Sequence, residues 1–250
     1  MKYAYYLGCW IPARLNQYDL STRVVAKKFG IELVDLEGAG CCGAMIRSIN
    51  FKTNLMMSAR ILALAENMGL DLLVLCNGCY ESLMEAADLV KTNESFREQV
   101  NTLLKSTDSL VYEGNVKVKH LVQVLYNDIG LDRLRNEIRR PLDGLRVAVH
   151  YGCHILRPSS KTGFDNAENP KILDELVEIS GARSIYWPLK LWCCGSPVLA
   201  VDKNLSLSIA GMKLKSAREA GADCIVTICP SCQIQFDTFQ PDISLSLIHI

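Results

Sequence analysis

Ten of the eleven cysteines in this 250-residue chain fall into two copies of one spacing. The first copy is Cys9, then the adjacent pair Cys41-Cys42, then Cys76-x-x-Cys79. The second is Cys153, then the adjacent pair Cys193-Cys194, then Cys229-x-x-Cys232. The intervals nearly match: the stretch from the pair to the C-x-x-C is almost the same length in both, and the stretch from the lone cysteine to the pair is somewhat longer in the second. A glycine, Gly43 or Gly195, follows each pair. Self-similarity at this scale implies one supersecondary unit used twice. Whatever the unit is, it has to hold five thiols in one pattern.

The flanks repeat with the cysteines. "YYLGCWIPAR" (5–14) matches "VHYGCHILRP" (149–158): an apolar run, Gly-Cys, then a loop with Pro and Arg. "LDLLVLCNGC" (70–79) matches "DCIVTICPSC" (223–232), a short apolar run leading into C-x-x-C. Such runs, bounded by turn signals, suit parallel strands covered on both faces. "NLMMSARILALAENMG" (54–69) and "LSLSIAGMKLKSAREAG" (205–221) have apolar residues at helical spacing and end near Gly. "IELVDLE" (31–37) and "RSIYWPL" (183–189) read as the strand before each pair.

The expected fold is therefore α/β: two pseudo-twofold related βαβαβ-type halves with parallel strands and a helical connector. The boundaries read as a first repeat at 1–83, a helical, polar connector at 84–145, a second repeat at 146–240, and a truncated or foreign tail, "PDISLSLIHI", at 241–250. Pro141 and Gly144 break the chain at the join. In a parallel sheet, sites form at the carboxyl ends of the strands. Every cysteine cluster follows an expected strand, so five thiols should meet at one edge of each sheet.

Net charge is zero, which gives no attraction to nucleic acid or an anionic membrane. No apolar run reaches the ~18 residues of a membrane span, and the N-terminus lacks the layout of a signal peptide. The expectation is a soluble, cytoplasmic protein. Disulfides are disfavoured there, and an odd cysteine count leaves one thiol over. Metal or redox chemistry is the better reading of so many cysteines.

Several chemistries compete for the pattern. Gly38, Gly40 and Gly43 match the G-x-G-x-x-G of dinucleotide loops. No carboxylate follows about 20 residues on, as that fingerprint requires, and the second copy, "KLWCCGSP", keeps the thiols and drops the glycines. Structural zinc takes four ligands, not five. Thioredoxin-like dithiols at Cys76/Cys79 and Cys229/Cys232 leave six repeated cysteines unexplained. Iron–sulfur clusters remain, with thiolates as their usual ligands. Five thiolates exceed the four that a cubane takes, which suggests a larger or opened cluster.

Two such motifs resemble the cysteine-rich CCG domains found in the B subunit of CoB–CoM heterodisulfide reductase. The likeness runs along nearly the whole chain, from "YYLGCWIPAR" through "LCNGCY", "VKHLVQVLYNDIGL" and "VHYGCHILRPS" to "FDNAENP" and "CPSCQIQFD". The resemblance implies two noncubane 4Fe–4S clusters. Cys9, Cys41, Cys42, Cys76 and Cys79 would hold one; Cys153, Cys193, Cys194, Cys229 and Cys232 would hold the other. It implies reduction of the CoM-S-S-CoB disulfide to two thiols, as in methanogenesis. The electrons would come from a small subunit with cubane 4Fe–4S clusters, fed by a flavoprotein subunit. A related CCG subunit acting on another disulfide or sulfur substrate, or a non-catalytic electron-transfer module, is the alternative.

Outside the ten cysteines, His154 follows a proposed ligand and is a candidate catalytic proton donor; its plainer role is to orient the loop. Arg157 and Lys161 suit the anionic ends of such a disulfide or simply the solvent. Trp10 and Trp192 flank cysteines and would shield a cluster from water. His120 reads as a structural residue heading a connector helix, and Cys224 as a buried apolar thiol.

Overall fold

Every residue of "YAYY" (3–6) is buried, Ala4 completely. A strand buried on both faces needs cover on both, which parallel βαβ units provide. That strand, β1 (Lys2–Tyr6), is the centre of the first of two sheets in the computed structural model, which describes residues 1–243. The chain divides into two compact units, Met1–Leu121 and Val122 onward. Of the expected tail at 241–250, residues 244–250 lie outside the described residues.

In the first unit β1 lies between β2 (Glu32–Asp35) and β3 (Leu72–Val74), with β4 (Val118–His120) beyond β3. All pairings are parallel, with Tyr3 beside Leu33, Ala4 beside Leu72 and Val74 beside His120. Parallel neighbours need crossovers. Helices α1 (Trp10–Arg14) and α2 (Asn16–Lys28) cross from β1 to β2, and α3 (Phe51–Asn67) from β2 to β3. Helices α4 (Asn77–Thr92) and α5 (Glu94–Asp108) cross from β3 to β4.

The stretch 84–145, expected to be helical and polar, thus also contributes a strand, with His120 at its end. Three residues of alternation, "VKH", are too few to register as a strand signal. What fixes them is tertiary: Val118 is buried and Lys119 pairs with Leu73 in the sheet.

The second unit begins around α6 (Leu121–Gln123), followed by a wide-turn helical stretch at Val124–Ile129 and α7 (Leu131–Asn136). Its sheet centres on β5 (Arg146–His150), between β6 (Arg183–Ile185) and β7 (Cys224–Thr227). The order β6-β5-β7 repeats β2-β1-β3, and both pairings are again parallel. Helices α8 (Ser159–Thr162) and α9 (Ile172–Ile179) lie between β5 and β6 in sequence. Helix α10 (Lys203–Glu219) lies between β6 and β7, and α11 (Pro230–Gln233) runs into a wide-turn stretch, Ile234–Thr238. Trp187 anchors this core: it is fully buried against Ala148 and Ala217 and donates its indole N–H to the Val149 carbonyl at 3.0 Å.

The helices that follow the cysteine pairs start alike. The Asn50 side chain accepts from the Thr53 amide at 3.0 Å, and that of Asp202, the matching residue, from Leu205 at 2.9 Å. Both are side-chain N-caps, which satisfy amides with no partner inside the helix.

Candidate metal centres

Each cysteine cluster follows a strand end, as the parallel topology requires. Cys9 comes three residues after β1, and Cys76 two after β3. Cys153 and Cys229 stand at the same places after β5 and β7. Cys76 and Cys229 begin helical segments, with the Tyr80 amide donating to the Cys76 carbonyl at 2.8 Å and the Gln233 amide to that of Cys229 at 2.9 Å. This turn aims the second thiol of each C-x-x-C back at the paired cysteines. Cys42 and Cys79 place their sulfurs 3.4 Å apart, and so do Cys194 and Cys232.

Gly43 and Gly195, after the pairs, adopt φ of +81° and +87°. A Cβ on Gly195 would lie 2.6 Å from the Ser206 carbonyl oxygen, and one on Gly43 3.0 Å from the Asn54 Cα. Only glycine permits both the left-handed backbone and this approach to the following helix. The amides of these glycines point at the Cys41 and Cys193 sulfurs at 3.3 and 3.4 Å. Buried polar side chains hold the loops in place. Asn54 and Ser58 donate to the Cys42 carbonyl at 3.0 and 2.9 Å; Ser206 donates to that of Gly195 at 2.9 Å and accepts from Gln235 at 2.8 Å.

Within each set the thiols form one chain of hydrogen bonds. Cys41 accepts from Cys42 and Cys9 and from the Gly43 amide, and its thiol is pulled down to about 2. Its neighbours move the other way. Cys42 rises to about 11, chiefly through Cys41, and Cys79 rises through Cys42 and Cys76. In the second set Cys153 and Cys194 donate to Cys193, which falls to about 2, while Cys194 rises to about 12. Cys232 rises through Cys194 and Cys229. Five thiols this close cannot all ionise side by side, because each thiolate disfavours the next. A multivalent cation removes that conflict, since thiolates are the metal-binding form. All ten are free thiols. A five-thiol set suits an iron–sulfur cluster better than a four-ligand zinc. Cys9 and Cys193 are exposed, and the C-x-x-C members are buried.

The residues singled out around the sets are placed unevenly. His154 is half-buried beside Cys153; Arg157 and Lys161 are exposed, with Arg157 donating to the Ala167 carbonyl at 3.3 Å. His120 is buried edge-on to Tyr80. Trp10 is half-buried with its indole nitrogen enclosed, whereas Trp192 is 58% exposed and cannot seal the second set from water by itself. Cys224 belongs to neither set. It opens β7 beside Val147, and it is half-buried rather than enclosed.

Three side chains near the sulfurs escaped sequence reasoning. Tyr6 ends β1 and donates its hydroxyl to the Gly40 carbonyl at 2.9 Å. His150, its counterpart, ends β5, and one ring nitrogen lies within 4.8 Å of the Cys194 and Cys232 sulfurs, these three ligand atoms forming a compact group. Its Nδ1 lies 3.3 Å from the Lys190 carbonyl oxygen, and Nε2 has no hydrogen-bond partner among the described residues. Burial, helped by the charge of Lys213, drops its pKa to about 3, so the ring is neutral. Lys213, on α10, is 1% exposed. Setting the two repeats against each other would have exposed it, because a charge replaces Ile61 at an apolar helical position.

Comparison with known proteins agrees with this arrangement. The family model for the cysteine-rich domain (CCG) matches residues 3–84 and 147–237. The chain is 36% identical to the B subunit of a ferredoxin/F420H2-dependent CoB-CoM heterodisulfide reductase of Methanosarcina acetivorans, over 99% of this chain and 86% of that one. It is 40% identical to a protein of Archaeoglobus profundus named as similar to the B subunit of heterodisulfide reductase, over 96% and 82%. An 8-methylmenaquinol:fumarate reductase membrane anchor subunit of Wolinella succinogenes is 31% identical over 96% and 84%. Among solved structures, a hypothetical protein from Helicobacter pylori shares the fold, with a TM-score of 0.75 at 18% identity; the match covers 98% of this chain and 44% of that one. No helix among the described residues is long and apolar enough to cross a membrane. With five thiols gathered in each of two matching units, the chain belongs to the cysteine-rich CCG domain family, among the heterodisulfide reductase B subunits and their relatives.

Proposed function

We propose that this chain is the catalytic iron–sulfur subunit of a multi-subunit disulfide reductase that cleaves the CoM-S-S-CoB heterodisulfide into two thiols. Cys9, Cys41, Cys42, Cys76 and Cys79 hold one noncubane 4Fe–4S cluster; Cys153, Cys193, Cys194, Cys229 and Cys232 hold the second. The observation that carries this reading is the five-thiol chain of contacts formed twice on matching elements. Reductive cleavage takes two electrons and two protons per disulfide; clusters held by these ten cysteines would supply the electrons one at a time. The protein's own groups do the rest. The Gly43 and Gly195 amides steady the Cys41 and Cys193 sulfurs. The buried Asn54, Ser58, Ser206 and Gln235 fix the loops. His154, half-buried and next to Cys153 in the chain, is our candidate donor of a proton to a leaving sulfur. Electrons arrive through a partner subunit with cubane clusters and a flavoprotein subunit.

Iron and sulfide analysis of anaerobically purified protein tests the cofactor. About eight irons per chain, with matching sulfide, are expected for two 4Fe–4S clusters; about two zincs and no sulfide would sink the reading. Reduced methyl viologen with CoM-S-S-CoB tests the reaction, and two free thiols per disulfide are expected. The fumarate reductase subunit among the relatives favours one rival, an electron-transfer module. Loaded protein that oxidises under fumarate reductase turnover but leaves the heterodisulfide intact would decide for the rival.

A further inference from the structure

Of the buried residues on α10, Lys213 alone is charged. Its ammonium donates to the Trp192 carbonyl at 2.9 Å and also to that of Leu189, and it lies 4.6 Å from the centre of the Trp187 ring. Two carbonyls and a ring face take up its hydrogens, but all three are neutral. A buried ammonium without a counter-charge is costly. The groups that would bring opposite charge to it, once ionised to thiolates, belong to the second set: Cys194, Cys232, Cys193 and Cys153.

The first set has no such cation at this position. The residue matching Lys213 is Ile61, apolar and buried. The carbonyl just before the paired cysteines, that of Gly40, accepts instead from the neutral Tyr6 hydroxyl at 2.9 Å. One carbonyl position is therefore held by a phenol in the first repeat and by an ammonium in the second.

We propose that Lys213 is the buried counter-charge of the second thiolate set and holds the cluster bound there at a higher reduction potential than the cluster of the first set. This rests on the two-cluster reading above. Reduction adds one electron and makes a cluster more negative, so a nearby fixed cation stabilises the reduced form. The interaction is strong where little water screens it, and cluster potentials respond to local charge and hydrogen bonding. Lys213 acts as a positioning and tuning residue through its charge and through the Leu189–Trp192 loop. With different potentials, an electron entering the protein settles preferentially on the second set.

The test uses the full chain with its clusters, purified anaerobically and titrated with dithionite, one electron per cluster, while electron paramagnetic resonance follows each. Iron and sulfide analysis comes first: a wild-type protein without them refutes the two-cluster reading and leaves the potentials moot. With clusters present, Lys213→Met removes charge and hydrogen bonds together, and Lys213→Gln removes the charge while keeping a donor. Both should lower one midpoint, cutting the reduced-to-oxidised ratio of that cluster at least tenfold at the wild-type midpoint, about 59 mV for one electron, and leave the other unmoved. Loaded variants with unchanged midpoints, or with both shifted alike, would overturn the proposal. Should either variant lose iron, single-cluster proteins give the answer. The cluster left in Cys9→Ala should titrate at least tenfold more easily than the one left in Cys153→Ala; equal or reversed midpoints overturn the proposal as well.

Discussion

Gly40 and Trp192 stand at the same place in the two repeats, just before the paired cysteines, and their surroundings have little in common. In the first repeat the loop is held by Tyr6 on Gly40 and by Arg60, which reaches the Gly38 carbonyl at 2.9 Å from the exposed side. In the second, Lys213 holds the loop from inside the core, over the ring of the buried Trp187. The repeats share the pair, the left-handed glycine, the amide on the first sulfur and the N-capped helix. They differ in the side chains that hold the loop carbonyls around the pair. Duplication has preserved the geometry that gathers thiols and let the electrostatic wall around them diverge.

The largest test of that comparison is to delete a thiol from each side. Cys42→Ala and Cys194→Ala should each lose one cluster and about four of about eight irons, while Cys224→Ala should lose none. Metal analysis beside visible absorbance checks this. Loss of metal from the Cys224 variant would break the division into two sets of five, and full iron retention by Cys42→Ala or Cys194→Ala would break the equivalence of the repeats.

The two glycines give a smaller and graded test. Gly195→Ala should destabilise the second unit by more than about 2 kcal/mol, combining left-handed strain with a clash against backbone. Gly43→Ala should cost less, because its Cβ meets the Asn54 Cα at 3.0 Å and the Met57 sulfur, a flexible end, at 3.1 Å. Urea unfolding of the two variants measures the difference. A costlier change at Gly43 would mean that the first loop is the more tightly packed of the two.

Much of this was legible in the sequence because it rests on covalent spacing. The cysteine pattern marked the repeat, and apolar runs ending in Gly-Cys or C-x-x-C marked strands that do end there. The helices at 54–69 and 205–221 emerge as Phe51–Asn67 and Lys203–Glu219, their starts displaced to the capping residues. What stayed hidden depends on long-range packing. Val118–His120 is a strand only because β3 lies beside it. Tyr6 and His150 look like ordinary strand residues until the fold carries their side chains beside the cysteine loops, whereas Lys213 shows in the sequence only when the two repeats are set side by side. The reading of Cys224 as an enclosed thiol failed for a related reason: among the described residues β7 is an edge strand with β5 on one side and no strand on the other, so its side chains are less covered than an apolar run suggests.

The helix caps should give equal effects in the two repeats. Asn50→Ala and Asp202→Ala each remove one side-chain acceptor from the amide three residues on, and each should cost about 1 kcal/mol. Thermal or urea unfolding of the single variants checks this. A cost several times larger at one site would show that its cap also supports the cysteine loop.

The smallest effect separates the far ends of the two sheets. Asp223 lies just before β7, accepts from the Arg146 amide at 2.8 Å and forms an ion pair with its guanidinium at 2.8 Å. Asp71, the aspartate just before β3, accepts from the Lys117 amide at 3.0 Å, while Lys2, the counterpart of Arg146, pairs with Glu32 at 2.8 Å. The hydrogen bonds from Arg146 lower the pKa of Asp223 to about 2. A carboxyl depressed by folding stabilises the protein above its ordinary pKa near 4, and that contribution fades as pH falls from about 4 to about 2. The group is exposed and screened by solvent, so the contribution is small, below that of a cap. Carboxyl carbon NMR of the folded protein should find Asp223 titrating well below an unperturbed aspartate. Asp223→Asn should flatten the acid limb of the second unit's stability below pH 4. An Asp223 that titrates near 4 would mean that the pair with Arg146 is not formed in solution, and this contrast between the sheets would disappear.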